Sequence, residues 1–318
     1  RADPYIYKHI DGYYYFLASV PEYDRIEIRK SKTINELFKA PSVIVWKKHL
    51  DGDMSELIWA PEIHYIDKKW YIYFAAAPNK EVTGITFNHR MYVIECLDAD
   101  PLTGTWTEKG QIKTGWESFS LDATILQHKG KLYYIWAQED RNVNYESHSN
   151  IYIAEMENPW TLRTKPVMLT QPLLDWEIKI FWVNEGPAIL KKNGKIFLTY
   201  SASATDENYC MGMLVVNEND DLLDPKSWKK LEKPVFKTSY KNKQYGPGHN
   251  SFTVSEDGMK DLLVYHARNY TDIEGDPLYD PNRHTRVQVI EWDKDGFPIF
   301  GEPVMDTRNV DFDSLRKK

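Results

Sequence analysis

Apolar and polar residues change places along this chain in short runs, and no stretch sustains the 3.6-residue period of a helix over ten or more positions, so strands are the predicted elements throughout. One arrangement recurs five times. An apolar run, a polar turn and an aromatic-rich run appear as "RADPYIYKHIDGYYYFLAS" from Arg1, "IWAPEIHYIDKKWYIYFAA" from Ile58, "SLDATILQHKGKLYYIWAQ" from Ser120, "VNEGPAILKKNGKIFLTYSAS" from Val183 and "GHNSFTVSEDGMKDLLVYHAR" from Gly248. The turns at Gly12, Lys68, Gly130, Gly194 and Gly258 lie roughly 60 residues apart, the mark of a repeat architecture.

A third β-prone run follows each hairpin: "RIEIRK", "RMYVIEC", "NIYIAEM", "CMGMLVV" and "RVQVIEW". A fourth strand position comes next. In three units it is preceded by an Asp-Pro or Asn-Pro turn, "DPLTGTW", "NPW" and "DPKSW", whose Trp106, Trp160 and Trp228 are placed to plug between units. Five such units account for the whole chain, which reads as one all-β domain over 1–318, a five-bladed β-propeller with four antiparallel strands per blade. The Gly-His and Trp-Asp marks of WD40 blades are missing. No closing strand precedes Asp3, so the fifth blade is expected to take its fourth strand from "FPIFGEPVMD", with closure left to side-chain packing.

In a propeller the first strand of every blade lines the central channel, so equivalent positions of five first strands converge. Counting back nine residues from the turns gives Asp3, Trp59, Glu185 and His249, and counting back eight from Gly130 gives Asp122. A lone carboxylate is ordinarily a solvated surface group. Three in corresponding inner slots are another matter, because like charges in a partly desolvated space cost free energy that folding alone does not ask for. They are also far apart in sequence, unlike the closely spaced oxygen ligands of a calcium loop. Acid and base catalysis accounts for them, and glycoside hydrolysis needs one protonated and one ionised carboxyl flanking the scissile bond. The residues identify the set; its roles stay open at this point.

Composition narrows the partners. With a formal charge of -7 the chain offers no basic field for nucleic acid or an anionic membrane. Aromatic residues make up 14% of it, including 21 Tyr and 11 Trp, enough to serve both as core and as platforms for sugar faces. Cys96 and Cys210 have neither metal-ligand nor redox spacing and read as buried thiols. No apolar run approaches the roughly 20 residues that span a bilayer, and no signal peptide is visible, so extracellular and cytoplasmic locations both stay open.

The ordered set Asp3 in "RADPYI", Asp122 in "SLDATI" and Glu185 in "VNEGPAI" resembles glycoside hydrolase family 43, with further likeness in "KQYGPGHNSFTV", "PNRHTRVQVIEW" and "TYSASATDENYCMGML" to its α-L-arabinofuranosidase branch. The resemblance covers essentially the whole chain. It implies a five-bladed propeller that cleaves arabinose- or xylose-containing polysaccharides with inversion, here an exo-acting α-L-arabinofuranosidase. A β-xylosidase or mixed pentosidase is the sibling reading, and a non-catalytic carbohydrate-binding propeller the more distant one. Carried onto matching positions, Asp3 is the general base, Glu185 the general acid and Asp122 the group that orients Glu185 and tunes its pKa. Trp59 packs on the bound sugar, Arg286 holds sugar hydroxyls, and His249 faces a metal ion, a structural calcium on the propeller axis; the chemistry itself needs no cofactor. The fructan-cleaving propellers fit less well, because their "NDPNG" and "RDP" motifs are missing.

Overall fold

The computed structural model describes residues 1–84, 86–143 and 148–307, and they form five antiparallel sheets arranged as the blades of a propeller. The first blade runs outward through Ala2–Lys8, Tyr14–Ser19, Arg25–Ser31 and Val43–Lys47, and the second through Glu56–Ile66, Lys69–Ala77, Arg90–Cys96 and Trp106–Gln111. Ser120–His128, Lys131–Gln138, Asn150–Asn158 and Thr161–Leu162 make the third, in which Val167–Thr170 also pairs with Asn150–Asn158. Asn184–Lys192, Lys195–Ala202, Cys210–Asn217 and Lys229–Lys230 make the fourth. Among the described residues helix is confined to the single turn Ile34–Leu37 and two 3₁₀ turns.

The hairpins form where the turns allow it. Asp67-Lys68, Lys129-Gly130 and Asn193-Gly194 each place two successive residues at positive φ, the requirement of a tight two-residue hairpin whose twist matches its strands. Second strands such as Tyr14–Ser19 are buried on both faces, which is why they read as continuous apolar runs rather than alternating ones. Of the three Trp plugs, Trp160 lies in the seam between the second and third blades, against Tyr71 and Lys109, and Trp228 is buried in the large central core. Trp106 packs against the apolar cluster shared by the first and second blades and bonds the Pro101 carbonyl.

The fifth blade departs from expectation. Among the described residues its ladder has three strands, Tyr245–Val254, Asp261–Arg268 and His284–Val289, and Pro298–Ile299 pairs instead with Glu291–Trp292. Pro298 and Pro303 lack the N–H a ladder needs, and Gly301 turns at φ +72° between them. The segment still lies on the blade through a side chain, since Gln288 Nε2 donates to the carbonyls of Phe300 and Glu302. The ring closes by packing: Ile6, Tyr14, Phe16, Ile34 and Leu37 of the first blade share a buried cluster with Leu262, Val264 and Val287 of the fifth. No helix among the described residues is long and apolar enough to cross a membrane.

Candidate active site

Every inner strand contains an extra residue at an equivalent place near its start, and those of the second and fifth blades contain a second one just before it. At the shared place three steps along the inner strand, from Ala2 to Tyr5, Trp59 to Glu62, Leu121 to Thr124, Glu185 to Ala188 and Gly248 to Ser251, face only two on the second strand. The bulged residue has positive φ in all five blades: Asp3 at 54°, Ala60 at 45°, Asp122 at 50°, Gly186 at 53° and His249 at 44°. Only glycine takes up this backbone freely, so four of the five positions are strained, and three of those four are Asp3, Asp122 and His249. Equivalence therefore runs one residue off the count from the turns. Asp3, Asp122 and His249 occupy the bulge itself, whereas Trp59 and Glu185 precede it. The bulge brings both positions to one cavity of about 360 Å³, lined by Asp3, Trp59, Asp122, Glu185 and His249 and rimmed by Phe87, Phe119 and Phe181.

The carboxyls meet different surroundings. Asp3 Oδ2 accepts from Ser19 Oγ at 2.5 Å, and its Oδ1 lies 3.3 Å from His249 Nδ1 and 3.6 Å from Arg283 Nη1. Burial alone would raise the Asp3 pKa, but His249, Arg283 and Ser19 outweigh it and hold the carboxyl below its ordinary value. Glu185 is moved the other way. Burial raises it, and the hydrogen bond from Tyr209 Oη, at 2.6 Å, and the charge of His249 only partly offset that. Asp122 is raised as well, by burial and then, against the pull of His249, by the neighbouring Glu185 and Asp3 charges; its Oδ2 accepts from the Gly186 N–H at 3.0 Å. His249 Nδ1 is also 3.7 Å from Asp122 Oδ2, and the surrounding carboxylates overcome burial to raise the imidazole pKa. His266 behaves oppositely: its Nδ1 accepts from the Asp3 N–H at 3.1 Å, and burial keeps the ring neutral.

Trp59 lies in the cavity wall, stacked on His89 with ring centres 3.8 Å apart. Arg286 does not reach the cavity. Its Nε donates to Gln244 at 2.9 Å and Nη2 pairs with Asp306 at 2.8 Å, on the outer part of the fifth blade. Arg283, three residues earlier, enters the cavity instead. Strand direction explains the difference, because inner and third strands both begin at the cavity end and three residues of strand cover about 10 Å. The residue just before the third strand is thus the one delivered to the mouth. At that place Arg283 lines the cavity, while Tyr209, before Cys210–Asn217, bonds Glu185 and His89, before Arg90–Cys96, backs Trp59; the first-strand count reaches none of them.

A cation at His249 was the other expectation. Among the described residues no three His, Cys, Asp or Glu side chains are grouped as metal ligands. His249 directs Nδ1 at two carboxylates, and no step below passes through a cation.

Residues 1–298 match the profile of Glycosyl hydrolases family 43. Over 306 residues the chain is 57% identical to an extracellular exo-alpha-(1->5)-L-arabinofuranosidase of Streptomyces avermitilis and 52% identical to alpha-L-arabinofuranosidase 43 of Humicola insolens. Each alignment covers 96% of this chain and 62% of the relative, so the chain spans under two thirds of those relatives' length. The crystal structure of an alpha-L-arabinofuranosidase from Lactobacillus brevis superposes with a TM-score of 0.95 at 64% identity, covering 96% of this chain and 95% of that one.

Proposed function

This chain belongs to glycoside hydrolase family 43, and on that premise we propose that it is an exo-acting, inverting α-L-arabinofuranosidase that removes terminal L-arabinofuranose from arabinan or arabinoxylan-type polysaccharides. The observation that carries the reading is the opposite bias on two carboxyls of one cavity, Asp3 lowered and Glu185 raised. That is the division of labour glycoside cleavage requires. Glu185, protonated, gives its proton to the glycosidic oxygen as the bond to the leaving sugar breaks. Asp3, ionised, takes a proton from the water that attacks the anomeric carbon from the other face, so the configuration inverts.

Asp122 is a positioning residue. By accepting the Gly186 N–H it fixes the backbone next to Glu185. Its raised pKa lets it stay neutral as Glu185 ionises, which avoids two adjacent buried anions. Trp59 offers a face for the sugar ring, and Arg283, rather than Arg286, is placed to hold its hydroxyls. Enclosure by all five blades suits a chain end better than a mid-chain segment, which supports exo action.

The test uses α-1,5-L-arabinobiose, whose leaving group needs protonation. Glu185→Gln and Asp3→Asn should each lower kcat/KM by about 10²- to 10⁴-fold while the melting transition persists. Proton NMR of the first product should show the β anomer, and an aryl β-xyloside should react more slowly than the aryl arabinofuranoside. Near-normal rates in either variant, or α-arabinose as first product, would end this reading.

A further inference from the structure

Two neighbouring apolar side chains, Ile180 and Phe181, are left exposed where the core has no use for them, and the second lines the cavity. Ile180 is 68% and Phe181 47% exposed. Ile180 has φ +68°, and the Phe181 N–H donates to the Lys179 carbonyl at 2.8 Å, two residues back. A three-residue turn around a left-handed β-branched residue is rare and strained, so something else in the fold must hold it.

The holding contacts are visible. The Lys179 N–H donates to Ser203 Oγ at 3.1 Å, and the Lys179 carbonyl accepts from the Ala204 N–H at 3.0 Å. On the other side, the His148 N–H donates to the Trp182 carbonyl at 2.8 Å, while the Trp182 N–H donates to His148 Nδ1 at 3.3 Å. Phe181 meets the His148 ring edge-on at 5.3 Å. Both side chains line the same cavity as the acids, and Glu185 follows Phe181 by four residues.

Granting the activity proposed above, the general acid must lie beside the leaving oxygen, so the wall on its side of the cavity receives the departing sugar. That wall is Phe181, His148 and Val183, from the third and fourth blades; Asp3, Tyr23 and Arg283, from the first and fifth, bound the side of the attacking water. We propose that the strained turn at Ile180 exists to present Phe181 as the platform for the leaving-group sugar, whose C–H face packs on the ring while His148 donates to one of its hydroxyls. The donor is Nε2–H, because Nδ1 already accepts from Trp182 and a neutral imidazole then holds its proton on the other nitrogen. Phe181 is on this account a specificity-determining residue for the second sugar of the chain, not for the one released.

The experiment compares two substrates that share the released sugar and differ only beyond the scissile bond: α-1,5-L-arabinobiose and α-L-arabinofuranosyl fluoride, which has no leaving sugar. Phe181→Ala should lower the ratio of kcat/KM for the biose to that for the fluoride by about tenfold, and Phe181→Tyr should restore it. His148→Ala should lower the same ratio. If the unaltered protein turns over both substrates and the ratio does not move in Phe181→Ala, the platform is wrong and the proposed activity stands. If the unaltered protein turns over neither, the activity falls and this inference with it.

Discussion

Asp122 shows most directly how single residues are set against folding for the sake of chemistry. Its carboxyl is buried near Glu185 and Asp3, and its pKa is raised, so the folded state binds a proton that the unfolded state releases. Below the ordinary carboxylate value, near pH 4, the group is protonated in both states and carries no penalty. Above it, the penalty grows as pH rises and is complete once pH passes the raised folded value. Asp122→Asn keeps an oxygen to accept the Gly186 N–H and cannot ionise. It should melt at or above the parent at pH 7, with the advantage shrinking toward pH 4, while hydrolysis of arabinobiose falls at least about tenfold. A lower melting point than the parent at pH 7 would show that the charge is fully compensated. Asp3, Asp122, Glu185, Trp59 and His249 were all legible in the sequence because residues at repeated offsets from repeated turns must converge in a propeller. Arg283 and Tyr209 were not, since they lie outside the inner strands, and Arg286 was misplaced because the resemblance was carried onto its motif without regard to which end of the third strand meets the cavity.

The element that matters is the bulge. Pro4, Pro61 and Pro187 each follow a bulged residue, and a proline has no N–H to waste where the ladder is interrupted, so the signal was present in "DP", "AP" and "GP". The five bulges are not equally tolerant. A Cβ at Gly186 would come within 3.2 Å of His249 Cγ, on a backbone already at φ +53°. Gly186→Ala should therefore cost about 1–2 kcal/mol and turn His249 away from Asp3, with loss of activity. Ala60→Gly, at the equivalent bulge, removes a left-handed strain and should change stability by less than about 1 kcal/mol. Urea unfolding midpoints of the two variants make the comparison, and equal losses would mean that the bulge geometry is not what sets them.

At the scale of the molecule, the site depends on the join between the first and last blades. Asp3 hangs on that join: its N–H goes to His266 in the fifth blade, Ser251 Oγ donates to the Pro4 carbonyl at 2.8 Å, and Tyr14 Oη donates to the Val254 carbonyl at 2.9 Å. Beneath these bonds is the apolar seam of Ile6, Phe16, Leu262, Val264 and Val287. Leu262→Ala should cost about 2–5 kcal/mol by the cavity it leaves, and the temperature of half-inactivation should fall with the melting temperature. A loss below about 1 kcal/mol would mean that the ring is held closed by something other than this seam.

The repeat, the strand content, five blades and the three acids follow from sequence alone, because side-chain alternation and turn chemistry are local properties that a one-dimensional pattern records. The want of a fourth strand in the fifth blade's ladder among the described residues, the exchange of Arg286 for Arg283 and the strained turn at Ile180 were decided only in three dimensions. So was the contrast between Asp3 and Glu185. Two carboxyls with the same intrinsic chemistry acquire opposite biases from burial and from charges supplied by blades far away in the chain, and distance through space is the one quantity a sequence does not contain.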